Sequence, residues 1–176
     1  AKSLHTVYQW ALKQATHAIY AHQYFRSVLD WRQATVARRL SGGWLLRSGA
    51  ELRQWAQPAS AATPQLAQCQ NLAGWNEHAK RRYLHATAGQ VVLQSGAAGK
   101  AAPRLIEANA DITRWAVQAD SSVQIRLQGH LPVEAVFQLP AGWAAQGSKG
   151  ATVETTSVGV RVSGSGTTVD LTLKRA

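Results

Sequence analysis

The chain is poor in cysteine: its 176 residues include only Cys69. A single thiol excludes a disulfide within the chain and a cysteine-rich zinc site, which needs several thiolates. A nucleophilic role for Cys69 requires a base and a cationic neighbour to lower the pKa of the thiol. The simpler interpretation is a small apolar side chain that is buried or half-buried.

Methionine and long hydrophobic runs are also missing. A membrane helix needs about 18 consecutive apolar residues, and no segment approaches that length, so we expect no membrane span. Residues 1–4 lead straight into an amphipathic pattern rather than into a signal peptide. We therefore expect either a fragment of a longer protein or the mature end left by processing.

Acidic residues are few. Nine Asp and Glu stand against nineteen Lys and Arg, which gives a formal net charge of +10. The excess lies before residue 103, because residues 103–176 carry seven basic and six acidic side chains. A basic surface attracts nucleic acid, lipid headgroups or acidic protein faces. The sequence contains no zinc finger, RNP aromatic motif or GXXG loop, so we expect no nucleic-acid partner.

Alternating hydrophobicity is the main pattern of the second half. Val123, Ile125 and Leu127 alternate with polar residues, as in a strand with one dry face and one wet face. Further strands with turn residues between them are predicted over residues 104–108, 112–117 and 133–139, and from Val153 to the end. Short strands at this spacing predict a β-sandwich or a jelly roll.

The first forty residues have a helical pattern instead. Apolar residues at helical spacing predict amphipathic helices over residues 3–16 and 23–39, the second ended by Ser41-Gly42-Gly43. Residues 17–21 form a short apolar run that predicts a buried strand. These elements leave apolar faces uncovered, so we expect them to dock on the sandwich or on a domain that precedes Ala1.

Between these regions the pattern predicts strands and turns. Residues 44–47 and 51–55 are predicted to form one hairpin, and residues 82–86 and 90–94 another, with a short strand over residues 72–75 and a surface loop over residues 58–64. The predicted fold class is therefore α+β, mainly β. A helical segment (1–41) precedes an antiparallel β-sandwich or jelly roll (42–176).

The candidates for chemistry are weak. The His17/His22 and His78/His85 spacings match no known zinc arrangement, and there is no GxSxG nucleophile elbow. Glu107 and Asp111 are close in sequence, as a glycosidase pair could be. Two solvated carboxylates are the simpler interpretation. We predict neither a complete catalytic site nor a metal or other cofactor in this chain.

Aromatic residues offer the best candidate site. Seven tryptophans are present, and sugar rings stack on exposed aromatic faces while polar groups fix their orientation. The predicted sugar-binding cluster is Trp75, Asn76, Tyr83 and His85. The alternative for each tryptophan is a core position, and this is the interpretation favoured for Trp115 and Trp143.

Short segments along nearly the whole chain resemble a known family. The segments Thr6–Leu12 and Ala21–Tyr24, with Val28 and Asp30, resemble the last helices of the deacetylase domain in the large bacterial enzymes of Pel exopolysaccharide biosynthesis. Gln23 departs from that pattern, which has an acid at this position. The C-terminal β-rich region of those enzymes is similar to the later segments, which are Gly43–Arg47, Leu52-Arg53, Gly74–Asn76, Tyr83–His85, Ala108–Ala110 and Gly129–Pro132.

This resemblance implies a periplasmic, multidomain protein with a glycoside hydrolase domain and a metal-dependent deacetylase domain. Such an enzyme removes acetyl groups from an N-acetylgalactosamine-rich polymer during export, in biofilm matrix formation. The family's divalent metal and its Asp and His ligands belong to the domain that precedes the matched region, so no ligand is carried onto this chain. An acidic helical-repeat secretion partner at the outer membrane is implied as well.

Three functions stay open on the sequence alone. The chain is either the non-catalytic C-terminal part of a polysaccharide deacetylase, an independent carbohydrate-binding sandwich, or a basic interaction module. In the first case residues 1–41 are expected to complete a preceding deacetylase barrel, and residues 42–176 to brace that barrel, hold polymer or dock a secretion partner. Glycan binding by the chain alone favours the second, and binding to anionic surfaces favours the third.

Overall fold

The computed structural model describes residues 5–7, 9–10, 21–49, 54–96 and 101–175. Strands dominate these ranges, which confirms the mainly β, α+β class. None of the helices described is long and apolar enough to cross a membrane. In chain order the elements are α1 (Ala21–Gln33), β1 (Thr35–Arg38), β2 (Trp44–Arg47), β3 (Gln54–Pro58), a 3₁₀ turn (Leu66–Gln68), β4 (Leu72–His78), β5 (Arg81–Ala86), β6 (Gln90–Leu93), β7 (Arg104–Ala108), β8 (Asp111–Val117), β9 (Val123–Gln128), β10 (Glu134–Gln138), β11 (Trp143–Gly147), β12 (Ala151–Thr156), β13 (Gly159–Gly164) and β14 (Thr168–Arg175).

The strands of the described ranges form three sheets. A seven-stranded sheet has the order β12-β13-β10-β7-β4-β5-β3, a three-stranded sheet β1-β2-β6, and a four-stranded sheet β11-β14-β9-β8. Neighbouring strands are antiparallel except β4 and β7, which run parallel and pair where Gly74 faces Leu105. This single parallel contact joins two groups of strands within the large sheet. One group is β3, β4 and β5, and the other is β7, β10, β13 and β12.

Two hydrophobic cores fill the spaces between the sheets. The first core lies between the four-stranded sheet and the β7–β10–β13 side of the large sheet, around the fully buried Phe137 and Leu127. The second core lies between the three-stranded sheet and the β4–β5 side. Its buried members are Leu46, Leu72, Trp75, Leu84, Ala86, Val91 and Leu93.

The two cores lie on opposite faces of the seven-stranded sheet. Consecutive side chains of a strand point to opposite faces. On β4, Leu72 packs in the second core and its neighbour Ala73 in the first. On β7, Leu105 packs in the first core, whereas Arg104 lies over the ring of Trp75 in the second. The arrangement is therefore three layers around a shared sheet, not the two layers of one sandwich.

The predicted helix over residues 23–39 is wrong in its last six residues. The helix ends at Gln33, and Thr35–Arg38 forms β1, paired with β2 from Thr35↔Arg47 to Arg38↔Trp44. β-Branched side chains favour the strand, and Gly42 and Gly43, with φ of 85° and 78°, supply the turn. The glycines therefore close a hairpin rather than a helix, and this hairpin spans the predicted boundary at residues 41 and 42.

Both predicted hairpins of the middle region are wrong in their pairing. Strand β2 pairs with β1 and β6, whereas β3 lies in the large sheet beside β5. Strands β5 and β6 exist close to the predicted bounds, yet they belong to different sheets. The intervening turn is held by other segments, since Thr87 N donates to Asn71 O and Ser48 N donates to Gly89 O. The chain therefore crosses between layers where a hairpin was expected.

The remaining strand predictions agree with the structure, with one omission. Strands β4, β7, β8, β9 and β10 fall where alternation predicts them, and the final stretch divides into β12, β13 and β14. Strand β11 was not predicted, because its small residues lack a strong hydrophobic alternation. Residues 5–7 and 9–10 are helical, as predicted. The rest of the first predicted helix, residues 17–20 of the strand predicted over 17–21, the predicted strand positions 51–53 and residues 97–100 lie outside the described residues. Ala21, the last residue of that predicted strand, begins α1 instead.

Candidate functional site

Trp75, the centre of the predicted sugar-binding cluster, lies inside the second core. The tryptophan is 9% exposed and packs with Leu84 and Leu72. The guanidinium carbon of Arg104 lies 4.4 Å from the ring centroid, as in a cation–π contact. The indole ring therefore has a packing role here and offers no open face for stacking on a sugar.

The other three members of the predicted cluster lie together on the opposite face of the same sheet. Asn76 faces Tyr83 across the β4–β5 pair, and His85 follows two residues after Tyr83 on β5. Trp75 faces Leu84, whose side chain points into the second core. The structure thus groups Asn76, Tyr83 and His85, all half-buried, and separates them from Trp75.

The side chain of His85 makes a hydrogen bond within the large sheet. Its Nε2 lies 2.7 Å from the carbonyl oxygen of Ile106 on β7. A carbonyl only accepts hydrogen bonds, so Nε2 carries the proton and donates it. Burial is the main cause that lowers the pKa of His85, and the Ile106 bond opposes that effect. The imidazole therefore joins two strands of the large sheet across Gly74.

A second polar surface lies on the four-stranded sheet. Val123, Ile125 and Leu127 of β9 point into the first core, so the alternate residues of β9 point outward. The same alternation on β14 places Leu171 inward and its neighbours outward. We call this outward surface the polar face, defined by Arg114, Gln124, Arg126, Gln146, Asp170 and Thr172.

Strand register brings these residues into two rows across the sheet. Residues directly opposite on antiparallel strands have Cβ atoms about 4.5–5.5 Å apart, so their polar groups lie within reach of one ligand. One row is Ala116, Gln124, Thr172 and Gln146, and the other is Arg114, Arg126 and Asp170. The second row continues to Ser148, whose N–H donates to Asp170 O at 2.8 Å.

A cavity of about 340 Å³ opens on the polar face. This volume is at the lower end of ligand-pocket sizes, which run from about 300 to 1,000 Å³. Backbone segments around Ile125, Gly147 and Leu171 complete its wall. Its polar lining consists of Arg114, Gln124, Gln146, Ser148, Asp170 and Thr172.

An ion pair orders one side of the polar face. Arg126 donates from Nε to Asp170 Oδ1 at 2.7 Å and from a terminal nitrogen to Oδ2 at 3.0 Å. This fork geometry fixes the orientation of both side chains. The hydrogen bonds from Arg126 hold the pKa of Asp170 below its ordinary value, with a smaller contribution from the charge of Arg114. Asp170 is therefore an ionised acceptor at neutral pH.

The polar face suits hydrogen bonding to hydroxyl groups. Glutamine amides offer donors and acceptors, threonine and serine hydroxyls offer both, and Asp170 accepts. The tryptophans of these strands, Trp115 and Trp143, pack against the first core as predicted. No group of three or more His, Cys, Asp or Glu side chains that would suit a metal ion occurs among the described residues.

The alternation of polar and apolar residues marks the wet side of β9 in the sequence, but it does not select that side as a site. Many strands have a wet face, and alternation alone does not show which of them pair side by side. The selecting feature is the register that aligns Gln124, Thr172 and Gln146, which come from distant parts of the chain.

Cys69 and the paired acids add no catalytic arrangement. Burial raises the pKa of the Cys69 thiol, which donates to Gln94 O at 3.4 Å and packs against the second core. This agrees with the apolar interpretation. Glu107 lies on β7 of the large sheet and Asp111 on β8 of the four-stranded sheet.

Comparison of the chain with protein-family models, curated proteins and solved structures gave no match.

Proposed function

We propose that this chain is a glycan-handling, β-rich part of a polysaccharide-modifying enzyme, and that the cavity on the polar face is its binding site. The observation that carries this proposal is the row Gln124, Thr172 and Gln146, which presents amides and a hydroxyl side by side along one wall of a cavity. Sugar hydroxyl groups are donors and acceptors at once, and such a row pairs with several of them.

Binding at this face depends on hydrogen bonds rather than stacking. Trp115 and Trp143 point away from the cavity, into the first core. Each polar contact contributes about 1 kcal/mol, and the lost freedom of the bound partner offsets part of that gain, so we expect weak binding with a Kd on the order of 1 mM or higher. This strength suits a module that guides a long polymer and releases it, because many weak contacts along one chain add through avidity.

The resemblance to the Pel deacetylases gives the proposal its context. In this context the chain is the C-terminal region of a periplasmic deacetylase that acts on an N-acetylgalactosamine-rich polymer during export and biofilm matrix formation. A divalent metal and the catalytic groups belong to the preceding domain. The polar face then holds or guides polymer near that domain.

The test compares a double variant, Gln124→Ala with Gln146→Ala, with the control Gln138→Ala. Gln138 is exposed on β10, in a different sheet from the cavity. We expect retention of the unaltered chain on immobilised polysaccharide, unchanged retention of the control, and loss with the double variant. Equal retention of all three proteins would contradict the proposed site.

The exposed side chains of α1 and the β1–β2 hairpin favour a second function, the docking of a protein partner. Phe25 is 65% and Trp31 68% exposed, and large exposed apolar patches mark interaction surfaces. Arg32, Arg38 and Arg47 are exposed on the same elements. In this second proposal the surface contacts the preceding deacetylase domain or an acidic helical-repeat partner.

Ionic strength separates the two kinds of partner. Binding to an acidic partner weakens as salt rises, since screening shortens the reach of exposed charges. A contact dominated by the apolar side chains keeps its affinity. Titration of each candidate partner at increasing salt, with Trp31→Ser as the variant, measures both contributions; affinity unaffected by salt and by that variant would contradict docking here.

A further inference from the structure

Two of the three charged side chains on the polar face pair with each other, and the third does not. Arg126 and Asp170 neutralise each other through two hydrogen bonds. Arg114 lines the cavity, is exposed, and faces Arg126 across the β8–β9 pair. Its side chain makes no hydrogen bond or ion pair with other residues in the described ranges, although its charge contributes to the lowered pKa of Asp170. With Arg114, Arg126 and Asp170 as its charged residues, the polar face therefore carries one positive charge in excess, and that charge is on the cavity-lining Arg114.

The excess charge is on a guanidinium group, which distinguishes carboxylate ligands from neutral ones. A guanidinium group is planar, keeps its charge at all physiological pH values, and binds carboxylates through two parallel hydrogen bonds. A second arginine directly opposite, already committed to Asp170, adds repulsion toward cations. The neighbouring amides of Gln124 and Gln146 do not distinguish charged from neutral sugars, so Arg114 is the group that does.

We propose that the cavity on the polar face binds carboxylate-bearing glycans, with Arg114 as the specificity-determining residue that engages a uronate carboxylate while the amide and hydroxyl row engages sugar hydroxyls. This inference rests on the proposed glycan-binding site and not on the Pel context, since the N-acetylgalactosamine-rich polymer named there carries no carboxylate. The same charge disfavours sugars that carry ammonium groups. The polar face consequently ranks glycans by charge: anionic, then neutral, then cationic.

The electrostatics of the rest of the chain act in the same direction but are not specific. The formal net charge of +10 attracts any polyanion to the surface. A test must therefore distinguish one arginine at the cavity from the sum of all charges. Arg161, exposed on β13 of the large sheet and outside the cavity lining, provides this control because its replacement by Gln removes the same charge elsewhere.

The experiment measures binding of three oligosaccharide probes by calorimetry at constant low salt. The probes are an oligogalacturonate, its methyl ester, which keeps the sugar skeleton without the charge, and a chitosan oligosaccharide, which carries ammonium groups. We expect the acid to bind roughly tenfold more tightly than the ester, and the chitosan more weakly than the ester.

The variants then assign the preference. Arg114→Gln removes the difference between acid and ester, Arg114→Lys keeps only part of it because an ammonium group lacks the fork geometry, and Arg161→Gln leaves the difference as it was. Circular dichroism of each variant checks that the exposed substitutions leave the fold intact.

Each other outcome has a distinct meaning. Equal affinity for acid and ester in the unaltered chain overturns the ligand class and leaves glycan binding in place. Equal losses in Arg114→Gln and Arg161→Gln show that net charge accounts for the preference and overturn the role of Arg114. Absence of binding for all three probes overturns this inference, while the retention test with the Gln124 and Gln146 variants decides the proposed function separately.

Discussion

The imidazole of His85 donates from Nε2 to the carbonyl oxygen of Ile106 over 2.7 Å, and in doing so crosses strand β4 at Gly74. Gly74 pairs with His85 on one side and with Leu105 on the other. The contact lies beside the single parallel pair that joins the two parts of the seven-stranded sheet. A residue selected from sequence as a sugar ligand is therefore a connection between the two parts of the sheet.

The His85 contact predicts a pH dependence of stability. Burial lowers the pKa of His85 in the folded chain from its ordinary value of 6.5, which the unfolded chain retains. The unfolded state therefore takes up the proton first as the pH falls below 6.5, so the free energy of unfolding decreases there and is fully recovered above it. Thermal unfolding across this range measures the effect.

The variant for this prediction is His85→Gln, which keeps an N–H donor but does not titrate. We expect a flatter dependence on pH below 6.5 and stability at neutral pH within about 1 kcal/mol of the unaltered chain. His78→Gln is the control, since His78 is an exposed histidine on β4. Equal flattening in both variants would show that the His85 contact is not responsible.

Gly74 predicts a second effect, through close approach of two backbones. A methyl group at this position would meet Leu105 O, and would lie 2.7 Å from both Leu105 N and Arg104 Cγ. Because backbone atoms do not move aside easily, we expect Gly74→Ala to lower the free energy of unfolding by about 1–3 kcal/mol. Urea denaturation measures this change.

The matched control for Gly74 is Gly166→Ala. No atom lies within 4 Å of a methyl group at Gly166, so we expect a change within about 0.5 kcal/mol. If Gly74→Ala is as well tolerated as Gly166→Ala, the β4–β7 contact is not the close pairing described here.

Arg82 predicts a third effect, on the loop that precedes the 3₁₀ turn. Its side chain is 5% exposed and donates to Glu77 Oε1 at 2.7 Å. It also donates to the carbonyl oxygens of Ala59, Ala61 and Ala62 at 3.0–3.3 Å. An ammonium group has no fork to span these acceptors, so we expect Arg82→Lys to cost about 2–3 kcal/mol. Faster amide exchange in residues 59–62 should accompany the loss.

The neighbouring Arg81 provides the control for Arg82. Arg81 is exposed on the same strand, and Arg81→Lys should change stability by less than about 0.5 kcal/mol. Similar losses in the two lysine variants would indicate a general effect of arginine content rather than the carbonyl contacts of Arg82.

Local pattern predicted the strands of the second half because their burial alternates within each strand. Val123, Ile125 and Leu127 carry that signal in five residues. Pairing was harder to predict, since β5 and β6 have the spacing of a hairpin and are nevertheless held apart by contacts with Asn71 and Ser48, which are distant in sequence. Strand β1 was concealed by arginines that continue the helical spacing of α1.

The candidate site shows the same limit. Trp75 is a residue type on which sugar rings often stack. Whether a tryptophan faces solvent, however, depends on which sheet covers it. The polar face consists of ordinary wet-side residues whose significance comes only from cross-strand register. The sequence therefore shows which polar groups are present, but not that they lie side by side on one face.

The most direct measurement of the central claim is a map of backbone and side-chain amide shifts in the labelled chain during titration with a soluble oligosaccharide. Binding at the polar face predicts saturable shifts centred on Gln124, Gln146 and Thr172, with the amides around Tyr83 and Trp75 unchanged. Shifts centred on Asn76 and Tyr83, or shifts spread evenly over basic surface residues, would contradict it.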